Sequence, residues 1–410
     1  MSQREVSIRM YNVGFGDCFL VTIPTDDGDR RILFDCGSMA KGNKSIEEVA
    51  GQVIGDLGAS PKIDVVVCTH RHRDHVSGFA KPGWSDVDVT EVWMPWTENP
   101  EDAEATRIRD GQTRLATALA RDLTLRLNAA GLADPEKAQL DADFSLVENA
   151  QLNESAMETL HSGFKRREKA KRRFLPETAS SGDLVTRFTT EALPGVVIHV
   201  LGPSRDEEII RDIDPPAGKS YMQLSDAQES GAGDGIPEPF SSDWWAEGMS
   251  PFVLSEDDKK KIRSFSEGFT SPVAAALDAA INGTSLMLVL QIGDLHLLFP
   301  GDAQWGTWNA VLRTPKWKNL LRRVRFYKIG HHGSHNATPI EFVEDAIDTS
   351  LNVIAMASTR AFGSWKVPLP ELLTQLASKN AIIARSDRPT DAPAPAFTVA
   401  DDVIEARLSL

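Results

Sequence analysis

The stretch that most constrains this chain is Ile63 to Gly78, IDVVVCTHRHRDHVSG. Its apolar, mostly β-branched start reads as a short buried strand of a parallel or mixed sheet. His70, His72, Asp74 and His75 follow within six positions. Just past a strand the chain is still extended, so residues two apart point the same way and His70 and His72 can share one metal ion. The tighter step from Asp74 to His75 turns the chain, so this pair can face a second ion beside the first. Imidazole and carboxylate suit zinc, manganese or iron, and the absence of cysteine from the cluster argues against a closed structural zinc site. Three of the chain's nine histidines fall in this one register, which makes a chance polar loop a poor explanation.

A chain of 410 residues can hold two or three domains, or one α/β core with insertions. Its net charge of −15, from 44 basic and 59 acidic residues, disfavours a protein that coats nucleic acid. It leaves room for an enzyme that grips a phosphodiester only at its active site. Three cysteines, Cys18, Cys36 and Cys68, suit a reducing cytoplasm. Neither a signal peptide nor a membrane span is expected.

Along the chain, Val6–Met10 and Phe19–Ile23 read as strands around a Gly14/Gly16 turn, and Arg31–Phe34 runs into Asp35-Cys36-Gly37. Ser45–Leu57 has helical periodicity. Residues 101–184 are rich in Ala, Leu, Glu and Arg and read as a helical insertion. Within it Lys165 to Arg173, KRREKAKRR, is a solvated helix face or a phosphate-binding patch that includes Lys165, Arg166 and Arg167. Residues 205–265 are acidic and Gly/Pro-rich and read as a loop or lid that Trp244 and Trp245 could pack down. Two strands, Ser285–Gln291 and His296–Phe299, lead to Gly301-Asp302, where a carboxylate at a buried strand end must be paired or metal-bound. The strand Val324–Ile329 then delivers GHHGSHNAT. One of His331 and His332 is a ligand there, and the other handles a proton or contacts a phosphate. Position favours His331, the first after the strand. Trp365 and Pro368 are expected to border the site. His199 and His296 read as structural.

Asp35, the His70/His72/Asp74/His75 cluster, Asp302 and the His331/His332 pair, each just after a strand, resemble in order the metallo-β-lactamase fold family. Ser285, Leu286, Gly301, Asp302 and His331 to Ser334 are similar to one branch, the ComEC-type domains associated with bacterial DNA-uptake channels. The resemblance implies an α/β fold, an αββα sandwich over residues 1–410, with the helical insertion and the acidic loop inside it. It implies two divalent ions, zinc or manganese, held by His70, His72, Asp74, His75, Asp302 and His331. Asp35 would support the metal-binding loop without binding metal. Asp74 and His332 would act in catalysis, and Ser334 and Arg360 join the basic patch as substrate contacts. The family's further histidine between the first cluster and the bridging aspartate has no counterpart, since only His161, His199 and His296 lie in that interval.

The function implied is a phosphodiesterase acting on DNA or RNA. Hydrolysis of a small phosphoester, a cyclic nucleotide, an ester or a lactone is the alternative, because fold alone does not select a substrate. A non-catalytic, metal-stabilised interaction protein is a third reading. No membrane partner is expected, while a protein partner or oligomer stays open.

Overall fold

The computed structural model describes residues 4–128, 134–151, 153–166, 169–216, 218–220, 270–361 and 367–410. Residues 221–265 of the acidic stretch, with Trp244 and Trp245, lie outside these, as do Arg167 and Trp365. The first strands are β1 (Glu5–Tyr11), β2 (Phe19–Ile23), β3 (Arg30–Phe34), β4 (Lys62–Val67), β5 (Asp88–Pro95) and β6 (Lys171–Leu175). Two short pairs follow, β7 (Glu177–Thr178) with β8 (Leu184–Val185), and β9 (Arg187–Phe188) with β10 (Val196–Gly202). The later strands are β11 (Met287–Ile292), β12 (Leu295–Phe299), β13 (Val324–Lys328), β14 (Ile354–Ala357), β15 (Ile382–Arg385), β16 (Phe397–Ala400) and β17 (Val403–Ser409).

They build two large sheets, in the orders β16-β17-β1-β2-β3-β4-β5-β6 and β15-β14-β13-β12-β11-β10-β9. Period-two alternation assigns each strand a face. Ile8, Val21, Phe34 and Val65 of the first sheet meet Ile198, Leu288, Phe299 and Phe326 of the second in one buried layer. The outer face of the first sheet buries Leu33 and Val66 under the helix Ile46–Asp56 through Val49 and Val53. The outer face of the second buries Val289 and Leu298 under the helix Trp305–Arg313 through Trp308 and Val311. Helices therefore cover both outer faces of two stacked sheets, the αββα sandwich that the sequence implied. The continuous Val65-Val66-Val67 run is apolar because β4 is covered on both sides.

Ser45 caps the first helix as the periodicity predicts: its hydroxyl accepts from Glu48 N while Glu48 reaches back to Ser45 N at 2.7 Å. The stretch 101–184 departs from the all-helical expectation. Ala103–Leu127 and Asp134–Ala150 are helices, but Lys171–Leu175 inside the basic run is the edge strand β6, parallel to β5. An edge strand tolerates Lys and Arg because their heads reach water. The first two helices pack with the helix Thr270–Asn282 through Ala116, Ala150, Leu277 and Ile281. Among the described residues no helix is long and apolar enough to cross a membrane.

Candidate metal centre

β3 and β4 run parallel, as do β12, β13 and β14, so their carboxyl ends share one rim between the sheets. The sequence places Asp35, Thr69-His70, Asp302, His331-His332 and Ser358 just beyond those ends. The two sheets are tied there by Leu286 N donating to Thr69 O at 2.8 Å. The glycines of the N-terminal turn admit the metal loop. A Cβ on Gly16 (φ 152°) would lie 2.5 Å from Asp74 O, and one on Gly37 would lie 2.4 Å from the His75 backbone. That close approach brings Asp17 N to Asp74 O at 2.9 Å.

Three groups of buried side chains have ligand atoms near enough to share an ion: Asp74, His75, Asp302 and His332; His70, His72 and Asp74; and Asp17, Asp35 and His75. The structure thus brings together five of the six residues assigned to metal from sequence, and places His332 rather than His331 in the four-residue group. His331 (φ 45°) and His332 (φ 54°) both occupy the left-handed region. Two successive left-handed residues carry the second ring back under the site. Such conformations cost on the order of 1–2 kcal/mol for a residue with a Cβ and persist where surrounding contacts impose them. Here Leu369 N holds Gly333 O at 3.0 Å, while Phe15 lies with its ring centroid 4.3 Å from that of His332. His331 instead meets Ser334 Oγ at 2.9 Å and Asn336 Oδ1 at 3.2 Å.

The hydrogen bonds set which ring nitrogen is free. Asp35 Oδ1 accepts from Thr69 N, and its Oδ2 accepts from Thr69 Oγ1, both at 2.7 Å. With its proton given to Asp35, Thr69 Oγ1 can accept from His70 Nδ1 at 3.1 Å. His75 Nδ1 faces Asp35 Oδ2 at 2.8 Å, and His332 Nδ1 faces the Ser358 carbonyl at 2.8 Å. A carboxylate and a carbonyl can only accept, so both Nδ1 atoms are protonated. In each ring Nε2 then points inward: His75 Nε2 to Asp302 Oδ2 at 3.2 Å, and His332 Nε2 to Asp74 Oδ2 at 2.9 Å. This fixes the tautomer a metal-bound imidazole needs. Asp35 holds two of these groups from behind.

A cation fits the donor set. His70 Nε2 and His72 Nδ1 lie 3.1 Å apart, near the ~3.3 Å between two nitrogens on a tetrahedral zinc. Asp74 Oδ1 is buried with no hydrogen-bond partner. Protons now balance the carboxylates. Burial lowers the His75 pKa, but Asp302, Asp74 and Asp35 outweigh it and hold the imidazole well above its ordinary value. Burial likewise lowers His332, and its bond to Asp74 outweighs that. Burial raises Asp302 and Asp74, yet His75 pulls both below the usual range, helped by Lys328 at Asp302 and His332 at Asp74. By contrast, burial and the neighbouring His75 charge keep His70 neutral, and burial brings His72 down to about 4. A divalent ion must displace the protons on His75 and His332. Metal uptake near pH 7 is therefore expected to release protons and to tighten as pH rises through those raised values. Weakly buffered calorimetry in two buffers of different ionisation enthalpy measures that release, and a release near zero would contradict the protonation described.

Two members of this network escaped sequence reasoning. Lys328, the last residue of β13, is buried, pairs with Asp17 and lies 3.3 Å from Asp302 Oδ1. Burial lowers its pKa, but Asp17 and Asp302 outweigh that and keep it charged. Asp17 closes the glycine turn. A lysine ending an apolar strand, and an aspartate between Gly16 and a strand, were the available signals.

Other sequence candidates sit elsewhere. Arg166 pairs with Asp88, at the start of β5. The register Val67↔Trp93 sets the site five residues further along that strand, about 17 Å at the usual rise. Lys165 lies at the same far end, its N donating to Val87 O. Arg173 is engaged by Glu177 at 2.7 Å and stacks 3.7 Å over Phe188. Arg360 is exposed, two residues past Ser358, and donates to Lys41 O. His199 bonds Gln291 Oε1 and His296 bonds Asp294 O, both away from the rim. Pro368 does border the site, against Gly333.

Residues 11–81 match the family model described as the metallo-beta-lactamase superfamily. That span holds Asp17, Asp35 and the whole first cluster, while Asp302, Lys328 and His332 arrive from the later part of the chain. No curated protein matches this chain. The match and the buried His/Asp groups together support a metal-dependent hydrolase.

Proposed function

We propose that this chain is a metal-dependent phosphodiesterase that cleaves nucleic acid, with two divalent ions, zinc or manganese, at the rim site. The observation that carries the metal half of this is the convergence of four histidines and two aspartates from both sheets into adjoining buried groups. His70 and His72 would hold one ion, Asp74, His75 and His332 the other, with Asp302 between them. When bound, such ions polarise a phosphoryl oxygen and make a water acidic enough to ionise near neutral pH.

The protein's own groups do the rest. Asp74 Oδ1, without a partner, is placed to orient an attacking water and accept its proton. Asp35, Thr69 and the Ser358 carbonyl keep the ligand rings from rotating. Lys328 fixes Asp302 through Oδ1, leaving Oδ2 on the His75 side. Arg73, half-buried in the metal loop and paired with Glu148, and the exposed Arg360 just past Ser358 are the candidates to meet a phosphodiester. The nucleic-acid half rests on the Gly301-Asp302 and His331 to Ser334 motifs shared with ComEC-type domains.

One observation favours a smaller substrate. Only the start of the basic run lies at the far end of β5, where Arg166 pairs with Asp88, and Arg173, in register with Trp93, is held by Glu177. A small phosphoester, cyclic nucleotide, ester or lactone would need no such patch.

The two separate by experiment. Cleavage of an oligonucleotide should fall steeply with salt, as counterion release requires, whereas a small chromogenic phosphodiester should be nearly insensitive. Arg73→Ala with Arg360→Ala is expected to lower oligonucleotide kcat/KM by roughly 10-fold and spare the small ester. Replacing Lys165 and Lys169 with Ala should change neither. A chain that hydrolyses only the small compounds would reverse the choice.

A further inference from the structure

Between the first cluster and Asp302 no histidine reaches the site; the fold brings a carboxylate to His72 instead. Asp278 and Asn282 lie one turn apart at the end of the helix Thr270–Asn282, so they share a face. Asp278 Oδ1 lies 3.5 Å from His72 Nε2, and His72 is 1 % exposed. That nitrogen has no hydrogen-bond partner, while His72 Nδ1 faces His70 Nε2. Amides hold the Asp278 carboxyl group from behind: Asn149 Nδ2 donates to Oδ1 at 3.4 Å and Asn282 Nδ2 to Oδ2 at 3.1 Å. Asn149 also reaches the metal loop directly, its Oδ1 accepting from Asp74 N at 3.2 Å.

We propose that Asp278 is the positioning residue for His72, accepting its Nε2–H so that the Nδ1 lone pair stays turned toward His70, and thereby setting the affinity of the first metal position. This rests on the metal site described above. An imidazole has two nitrogens and one proton when neutral, so an acceptor at Nε2 decides that Nδ1 is the ligand atom. Metal-bound histidines commonly carry such a carboxylate, and its loss costs about 10–100-fold in metal affinity. Asp278 and Asn149 sit on two helices that pack on each other beside the sandwich. The helices Asp134–Ala150 and Thr270–Asn282 thus grip the metal loop through one carboxyl group and one amide.

The test is a titration of metal-stripped full-length protein with Zn2+ against a chromophoric chelator, and with Co2+ followed by its visible spectrum. Wild type is expected to take two equivalents. Asp278→Ala should weaken one of them about 10–100-fold and leave the other unchanged. Asp278→Asn, which keeps an oxygen facing His72, should recover most of that loss and the wild-type Co2+ bands. In a His72→Ala background neither Asp278 variant should have further effect, since the pair acts as one unit. Two unchanged equivalents in Asp278→Ala, or a further loss in the His72→Ala background, would overturn the role. So would an Asn variant as weak as the Ala variant, which would mark Asp278 as a ligand through its charge. If Asp278→Ala does not fold, Asp278→Leu, which fills the space but offers His72 no acceptor, takes its place with the same expected and contrary results. Wild type that binds no metal would sink the site reading itself, and this role with it.

Discussion

Asp302→Ala is expected to lower metal-supported hydrolysis by about 10³-fold or more and to lower the Tm of the metal-free protein as well. Asp302 follows Gly301, whose φ of 56° and close approach to Leu286 O admit no side chain without strain. That turn aims one carboxylate at both halves of the site. Its Oδ2 meets His75 Nε2, while its Oδ1 accepts from His331 N at 3.1 Å and from Lys328. Alanine removes the carboxylate placed between the two ion positions. It also removes one of four buried aspartates, with Asp17, Asp35 and Asp74, crowded around His75, His332 and Lys328. Against the effect of burial, His75 and Lys328 hold the Asp302 carboxylate well below its usual range, so its loss is also expected to lower the Tm of the metal-free protein. Steady-state kinetics at saturating metal, paired with thermal unfolding of the stripped protein, measures both. Activity within about 10-fold of wild type would remove Asp302 from the centre.

Lys328→Met is expected to destabilise the metal-free protein by ~3–5 kcal/mol, because it removes the direct ion-pair partner of the buried Asp17 carboxylate. Lys328 and Asp17 side chains are 3 % and 2 % exposed, so water cannot take the lysine's place. Adding Asp17→Asn to Lys328→Met should restore much of the stability, since the pair is then removed together. Urea unfolding of the two single variants and the double variant gives the coupling. A single Lys328→Met within about 1 kcal/mol of wild type would show the ion pair to be incidental.

What the sequence made legible was local. The first cluster follows one buried strand in fixed register, and Asp302 had to be paired because it ends another. The sandwich was legible only through the family resemblance, because alternation gives each strand a face but not its partner. Three things were not legible. The choice between His331 and His332 turns on two left-handed residues, and neither is a glycine that would advertise the turn. Lys328 finds Asp17, and His72 finds Asp278, only after both sheets and the helical segment have come together. The basic run misled because its composition suits a helix, whereas the edge of β5 takes its end, Lys171 to Arg173, as a strand, and Asp88 and Glu177 neutralise part of it.

The central claim is that hydrolysis depends on ions held at the joint rim of the sheets. Its most direct measurement strips the protein with chelator and then titrates Mn2+ or Zn2+ back, following hydrolysis of a phosphodiester and bound metal in the same samples, with Asp74→Ala alongside. The expected result is no turnover when stripped, full recovery as about two equivalents bind, and none in Asp74→Ala. Turnover that survives complete metal removal, or that is undiminished in Asp74→Ala, would contradict it.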